Sequence, residues 1–375
     1  MSILDKGELY IGVMSGTSMD GVDTALVRIN DTKIELLFHD VYPLPDELKQ
    51  ELLTVCLGQD TTLRQVGKLD HHLGQLFADA VIQLLRKSGH HKDEITAIGN
   101  HGQTVFHQPY GNEPFTLQLG DANIISAKTG IKTVADFRRK DMALGGQGAP
   151  LVPAFHHTIF KPEDSSVVVL NIGGIANISV MRPDKPTLGY DTGPGNMLMD
   201  AWIDNKQGKK FDKNGELARS GKYINKLLDK LMDDDYFALE PPKSTGRELF
   251  NLPWLINQLD SFEHGFEPQD IQATLAEFTA LTICREVNKY CYGSSPELLV
   301  CGGGARNQFL MERLTKLLPE WLVATTDEKG VDSDHMEAMA FAWLAQRRIH
   351  NLPSNLPEVT GASRLASLGV IYPAD

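Results

Sequence analysis

Asp191 closes an apolar run and opens Thr192-Gly193-Pro194-Gly195-Asn196. A carboxylate at a strand end, on a loop that Gly-Pro-Gly keeps stiff, is placed to take a proton from water or a hydroxyl. A plain turn or helix-capping role is the competing reading. A second chemical segment is Gly12-Val13-Met14-Ser15-Gly16-Thr17-Ser18-Met19-Asp20-Gly21-Val22-Asp23, a turn of small and hydroxylated residues between two alternating apolar runs. Glycine lets a backbone approach a ligand closely, so N–H groups from Gly16 to Val22 can converge on a phosphate, with the Thr17 and Ser18 hydroxyls as further donors. Asp20 and Asp23 stand beside that nest, where oxygen-seeking Mg²⁺ is expected. A Gly-rich hairpin without a ligand is the plainer alternative.

Two more glycine turns follow predicted strands. Gly173-Gly174 lies in Asn171-Ile-Gly-Gly-Ile-Ala-Asn177, and Gly302-Gly303-Gly304 lies in Cys301-Gly-Gly-Gly-Ala-Arg-Asn307, ahead of a helix from Gln308. One such turn is weak evidence of nucleotide binding, but several at strand ends together point to ATP. Asn100-His101-Gly102-Gln103-Thr104 gathers hydrogen-bonding side chains around a glycine. Arg138, Arg139 and Lys140 form a cationic run suited to a carboxylate, because guanidinium pairs with it bidentately, or else a solvated surface run. The loop after them, 144–150, has no evident packing role. Glu337 begins an apolar helix, as a first-turn dipole partner or as a second site carboxylate.

The elements needed to position these residues repeat once along the chain. Alternation predicts strands at 8–14, 22–29 and 34–41, a helix at 45–57, and a long helix from an N-cap at Thr61 or Thr62 to Gly89. Its apolar positions are Leu63, Val66, Leu69, Leu73, Leu76, Phe77, Ala80, Val81, Leu84 and Leu85. Short strands at 95–99, 115–119 and 132–137 complete that half. The second half restarts with a continuous apolar strand at 166–172, then strands at 176–181 and 187–191, helices at 197–206, 222–233 and 268–292, and a strand at 297–301.

Composition narrows the classes. The chain has 375 residues, 42% hydrophobic and 23% charged, enough for two domains with real cores. A net charge of −13 argues against nucleic acid or an anionic membrane as the main partner. No apolar run reaches the roughly 20 residues that span a bilayer, and no leader pattern opens the chain, so a cytoplasmic protein is expected. Cys56, Cys284, Cys291 and Cys301 form no C-x-x-C and read as free thiols. Twelve histidines show no H-E-x-x-H, and no G-x-x-x-x-G-K-[ST] loop occurs.

Taken in order, MSGTSMDGVD, NHGQTVFH, DFRRKDMALGGQGAPLVPAFH, NIGGIAN, YDTGPGNMLMD, PKSTGRE and CGGGARN resemble the motifs of the anhydro-N-acetylmuramic acid kinases, a branch of the actin-like superfamily. The resemblance implies an α/β fold of two actin-like, ribonuclease-H-like domains, each a mixed sheet flanked by helices, with the ATP and substrate cleft between them. Domain I is expected at 1–137, with 355–375 returning to it, and domain II at 138–354. The resemblance implies cleavage of 1,6-anhydro-N-acetylmuramic acid by ATP and water to N-acetylmuramic acid 6-phosphate and ADP, in peptidoglycan recycling. Asp191 would be the general base and Glu337 a helper. ATP would meet Gly16–Asp23, Gly173, Gly174 and Gly302–Gly304; the sugar would meet His101, Gln103, Arg138 and Arg139, an arginine reading its lactyl carboxylate. The chain departs from the superfamily in having Met14-Ser15 where an Asp commonly precedes Gly-Thr, which moves the Mg²⁺ contact to Asp20 or Asp23. A homodimer stays open. The rival class is a non-catalytic ATP-switch protein; a nicotinamide oxidoreductase rests on the glycine triplet alone.

Overall fold

The computed structural model describes residues 7–16, 19, 21–30, 33–56, 58–241, 243–247, 249–262 and 265–374. Thr17, Ser18 and Asp20, named above as ATP or Mg²⁺ contacts, lie outside the described residues. The strands are β1 (Glu8–Ser15), β2 (Val22–Ile29), β3 (Ile34–Tyr42), β4 (Ile95–Gln108), β5 (Phe115–Leu119), β6 (Thr133–Ala135), β7 (Val167–Ile172), β8 (Ile175–Arg182), β9 (Lys185–Pro194), β10 (Glu297–Cys301), β11 (Leu322–Thr325) and β12 (Val370–Tyr372). They form two mixed sheets, ordered β12-β6-β4-β1-β2-β3 with β5 on β4, and β11-β10-β7-β8-β9.

Both sheets follow one plan. An antiparallel meander, β1-β2-β3 or β7-β8-β9, is extended from its first strand by parallel strands, β4 and β6 or β10 and β11. The repetition seen in the sequence is therefore a repetition of topology, and the fold is α/β with helices flanking two mixed sheets, as expected of an actin-like chain. All four cysteines are free thiols.

The chain divides into two compact units, Met1–Ile159 with His335–Asp375, and Phe160–Asp334. The first boundary falls later than the expected 137/138, and the return begins at 335 rather than 355. The reason lies in side chains that tie 138–159 to the returning segment. Asp141 is fully buried, and its carboxylate accepts from the Gly148 N–H at 2.9 Å, Thr360 Oγ1 at 2.8 Å and Asn355 Nδ2 at 3.2 Å. The loop 144–150 thus does have a packing role: it is tied to the returning segment. Phe155, on a helix Val152–Ile159 that the sequence did not announce, packs its ring 5.9 Å from Trp343.

In the first unit the helix Leu63–Ser88 begins at Thr62, whose side chain accepts from the Gln65 N–H while Gln65 reaches back, and ends at Gly89 with φ 76°. The reciprocal bonds satisfy two orphan donors at the helix start. Its buried stripe of Leu69, Leu73, Phe77, Val81 and Leu84 faces Ile11, Val13, Val22 and Leu26 of the sheet. Leu63, expected in that stripe, is 92% exposed, because the first turn extends past the core. A helix Ala122–Thr129 was also missed; it has little amphipathic contrast to read.

The helix Met336–Ile349 lies on β1, β2 and β4 of this same sheet. Gly12 and Gly99 are in-register partners on β1 and β4. A Cβ on Gly12 would stand 1.7 Å from the Ala338 carbonyl oxygen, and one on Gly99 2.0 Å from that of Phe341. Two missing side chains let a helix backbone rest on a strand backbone. In the second unit, β7, β8 and β10 pack their Val168, Leu170, Ile178 and Val300 against the helix Pro268–Asn288 and its neighbours.

Candidate active site

In the first unit the candidate residues gather around one irregularity. Along the β1–β4 ladder Val13 pairs with Asn100 and Ser15 with Gln103, so His101 and Gly102 together oppose Met14. Such a bulge redirects the side chains it carries, and Gly102 has φ 76°. His101 is thereby set where its Nε2 accepts from Arg138 Nε at 3.2 Å and Nη2 at 2.9 Å. Arg138 Nη1 donates to the Gly148 carbonyl at 2.8 Å. Two of the five guanidinium N–H groups then have no acceptor among the described residues.

Burial and the facing guanidinium push His101 well below the usual imidazole range, so it is neutral and its Nε2 carries the lone pair that Arg138 needs. Burial lowers Arg138 to about 10, opposed by Glu337 and Asp141, which leaves it charged at neutral pH. Glu337, in the first turn of the helix resting on Gly12 and Gly99, is pushed upward by burial and by Asp23 while Arg138 pulls it down. Asp23 pairs with Met14 at the end of β1. Asp23, His101, Arg138 and Glu337 therefore belong to one neighbourhood.

Four of the candidate residues spend their side chains within the protein or at its surface. Gln103 is fully buried, with Oε1 accepting from Ser15 Oγ at 2.6 Å and Nε2 donating to the Thr104 carbonyl at 3.2 Å. It steadies the residue before Gly16, and both ends of its amide are bonded within the protein. Arg139 points away from His101, since successive helical residues are about 100° apart; its exposed side chain pairs with Asp136 at 2.7 Å. Met19 and Val22 bury their side chains in the core, so only their backbone is available to a phosphate. Met19 has φ 53° and its N–H reaches the Gly16 carbonyl at 3.2 Å, a tight turn.

In the second unit the glycine turns do come together. The N–H groups of Gly195 and Met197 reach the Gly174 carbonyl at 2.8 and 3.1 Å, and that of Asn196 reaches the Gly173 carbonyl at 2.8 Å. Asn196 Nδ2 donates to the Ile172 carbonyl at 3.0 Å. Gly302 (φ 77°) and Gly304 lie against the end of β7: a Cβ would meet Asn171 Oδ1 at 2.3 Å or Ile172 Cγ2 at 2.3 Å. Gly303 is the open one, nothing lying closer than 3.9 Å. The ends of β7, β9 and β10 thus share a floor of bare backbone.

Asp191 lies on β9 beside that floor, paired with Asn177. Its N–H donates to the Lys243 carbonyl at 3.1 Å, its carbonyl accepts from Tyr236 Oη at 2.7 Å, and Oδ2 accepts from the Thr245 N–H at 3.0 Å. The backbone of Asp191 is locked and one carboxylate oxygen is oriented. Behind it Lys243 is buried, 3.1 Å from Glu286 Oε1 and 5.0 Å from the Tyr236 ring centroid, while Glu286 Oε2 accepts from Tyr190 at 2.9 Å and Lys289 at 2.7 Å. Nothing in the spacing of 190, 243 and 286 announces this network. The Lys243–Arg247 stretch of the quoted PKSTGRE motif, which carried no assigned role, is what holds Asp191; Pro242 and Glu248 lie outside the described residues.

The family described as "Anhydro-N-acetylmuramic acid kinase" matches residues 8–374. Relatives of that name from Vibrio parahaemolyticus and Vibrio cholerae are 66% and 65% identical, covering 97% and 98% of this chain and 98% and 99% of their own. A solved ROK family glucokinase from Streptomyces griseus, in complex with glucose and AMPPNP, covers 90% of this chain and 99% of its own at 12% identity, with a TM-score of 0.40. That likeness is too distant to bear on any residue. The Vibrio similarity runs through every segment described above, and on it the chain belongs to the anhydro-N-acetylmuramic acid kinase family.

Proposed function

We propose that this kinase uses ATP and water to open the 1,6-anhydro ring of 1,6-anhydro-N-acetylmuramic acid and to phosphorylate O6, giving N-acetylmuramic acid 6-phosphate and ADP. The C1–O6 bond breaks as O6 bonds to the γ-phosphorus, whose bond to the β,γ-bridging oxygen breaks to release ADP, and water bonds to C1 with one proton passing to Asp191. Glycoside cleavage ordinarily needs a second carboxyl group to protonate the leaving oxygen; here the phosphoryl group takes that place. The observation that carries this reading is Asp191 itself. Its backbone is bonded at both N–H and carbonyl and one carboxylate oxygen is aimed by the Thr245 N–H, which is the pre-organisation that a general base requires.

The remaining roles follow from charge. Arg138, still charged and with two N–H groups unassigned, suits the lactyl carboxylate, and neutral His101 orients it. The backbone at Gly16, Met19 and Gly21, with the turns at Gly173–Gly174 and Gly302–Gly304, suits phosphates and the purine edge. Mg²⁺ fits the first unit: Asp23 and Glu337 lie close enough for one carboxylate to raise the other's proton affinity, the oxygen-rich setting a hard dication takes. Asp23 would hold it, and when bound it neutralises developing phosphate charge. Among the described residues no helix is long and apolar enough to cross a membrane, and cytoplasmic peptidoglycan recycling is the setting we assign. Family membership leaves the ATP-switch alternative unfavoured.

The test is Asp191→Asn, which keeps the Thr245 bond but cannot take a proton. Turnover should fall about 10²–10⁴-fold while ATP binding persists. In ¹⁸O water the label should enter the C1 hydroxyl and not the phosphate ester oxygen. Near-normal turnover of the variant, or label at C6, would refute the reading.

A further inference from the structure

Arg139 and Lys140 are the part of the basic run that the kinase chemistry leaves unused. The helix Phe137–Ala143 turns Arg138 toward His101, whereas Arg139 and Lys140 line a separate cavity of about 560 Å³. Arg348 and Asn351, from the end of the helix Met336–Ile349, line it too, along with Gly369 beside β12. Three cations face one carboxylate there, Asp136, in a chain whose net charge is −13. Arg348 Nη1 spends one proton on Asn351 Oδ1 at 3.2 Å, which leaves the other terminal N–H groups of that guanidinium for a ligand. Asp136 already holds Arg139 by its Nε at 2.7 Å, which leaves the outer edge of that guanidinium available.

A local excess of positive charge in an acidic protein, with guanidinium forks and an ammonium, is complementary to a doubly charged oxyanion. The volume lies in the range of small-molecule pockets and would be mostly empty around a lone ion. Eleven helical residues separate Glu337 from Arg348, about 16 Å at 1.5 Å per residue, so the cavity is distinct from the Asp23, His101, Arg138 and Glu337 neighbourhood. We propose that this pocket binds a phosphomonoester of a small metabolite, its phosphate held by Lys140 and Arg348 with Arg139 as the third contact.

The experiment is calorimetric titration of the whole protein with glucose 6-phosphate, and separately with inorganic phosphate, at ionic strength fixed with chloride. Glucose 6-phosphate should bind saturably and more tightly than inorganic phosphate. Lys140→Gln and Arg348→Gln should each weaken it by about tenfold or more. Lys140 is a surface residue of the helix, so its variant should keep parental kinase turnover measured without sugar phosphate, which guards against misfolding and separates this test from that of the kinase chemistry. No saturable binding by the parent, or undiminished binding by both variants, overturns the site. Equal affinity for the two probes overturns the metabolite assignment.

Discussion

Gly12→Ala and Gly99→Ala probe the contact on which Glu337 depends. A non-bonded carbon needs about 3.5 Å, whereas the new Cβ atoms would stand 1.7 and 2.0 Å from the Ala338 and Phe341 carbonyl oxygens. The helix Met336–Ile349 must therefore rise by roughly 1.5–2 Å or tilt. Two terms favour the substitution: about 0.4–1 kcal/mol from a stiffer unfolded chain and about 0.8 kcal/mol from a buried methyl. Against them stands the loss of packing under Ala338, Phe341, Ala342 and Ala345, all buried. Because the obstacle is backbone, no rotamer can relieve it, and overpacking wins by about 2–4 kcal/mol. For a unit of this size that lowers the Tm by about 5–15 °C. A 1 Å displacement of a site group costs on the order of 10²-fold in turnover. Differential scanning calorimetry and a coupled ADP assay on purified variants read both effects. The double variant should cost well under the sum, since the first methyl has already lifted the helix from the second. Single variants within about 1 °C of the parent, with parental turnover, would refute the reasoning.

Two further outcomes are expected. Asp141→Ala leaves the Gly148 N–H, the Thr360 hydroxyl and the Asn355 amide without their shared acceptor, and calorimetry should show a loss of about 3–5 kcal/mol; a loss under 1 kcal/mol would deny the tie between 141 and the returning segment. Burial raises the Glu286 carboxyl, but hydrogen bonds from Lys289, Lys243 and Tyr190 outweigh it and hold it below the ordinary 4.5. Its contribution is present above that unfolded value and is lost as pH falls through the lower folded one, so Glu286→Gln should lower the Tm at pH 7 and converge on the parent under strong acid. A gap independent of pH would sink that account.

The sequence made the strands and the long capped helix legible because alternation and capping are local signals. Asp191 drew notice as a carboxylate ahead of Thr-Gly-Pro-Gly, but β9 runs on through Pro194, so it lies within the strand and not on a turn at its end. What the sequence hid is tertiary. Lys243 is far from Asp191 in sequence and meets it only in the fold, where Glu286 in turn holds Lys243 and Tyr190. Arg138 and Arg139 look equivalent as neighbours, and only the helix Phe137–Ala143 turns one inward and the other out. The domain boundary was misplaced for the same reason, since Asp141 is an unremarkable polar residue until Asn355 and Thr360 arrive. Gly12 and Gly99 were the one readable hint missed. A lone glycine inside a strand pattern marks close approach of another backbone.

The first unit is made of two stretches with the second unit encoded between them. On the ribosome, β1 to β6 emerge first, but the helix that rests on Gly12 and Gly99 follows only after residues 160–334 have been translated. At 5–20 residues per second that gap lasts about 10–35 s. Through that interval the face of β1 and β4 bordered by Gly12 and Gly99 stays bare, while the second unit, continuous in sequence, has all its strands to hand. The later-encoded unit is thus the first able to finish, and Met336–Ile349 closes the earlier one. Nascent chains halted near residue 330 should carry a protease-resistant second unit and a sensitive first one.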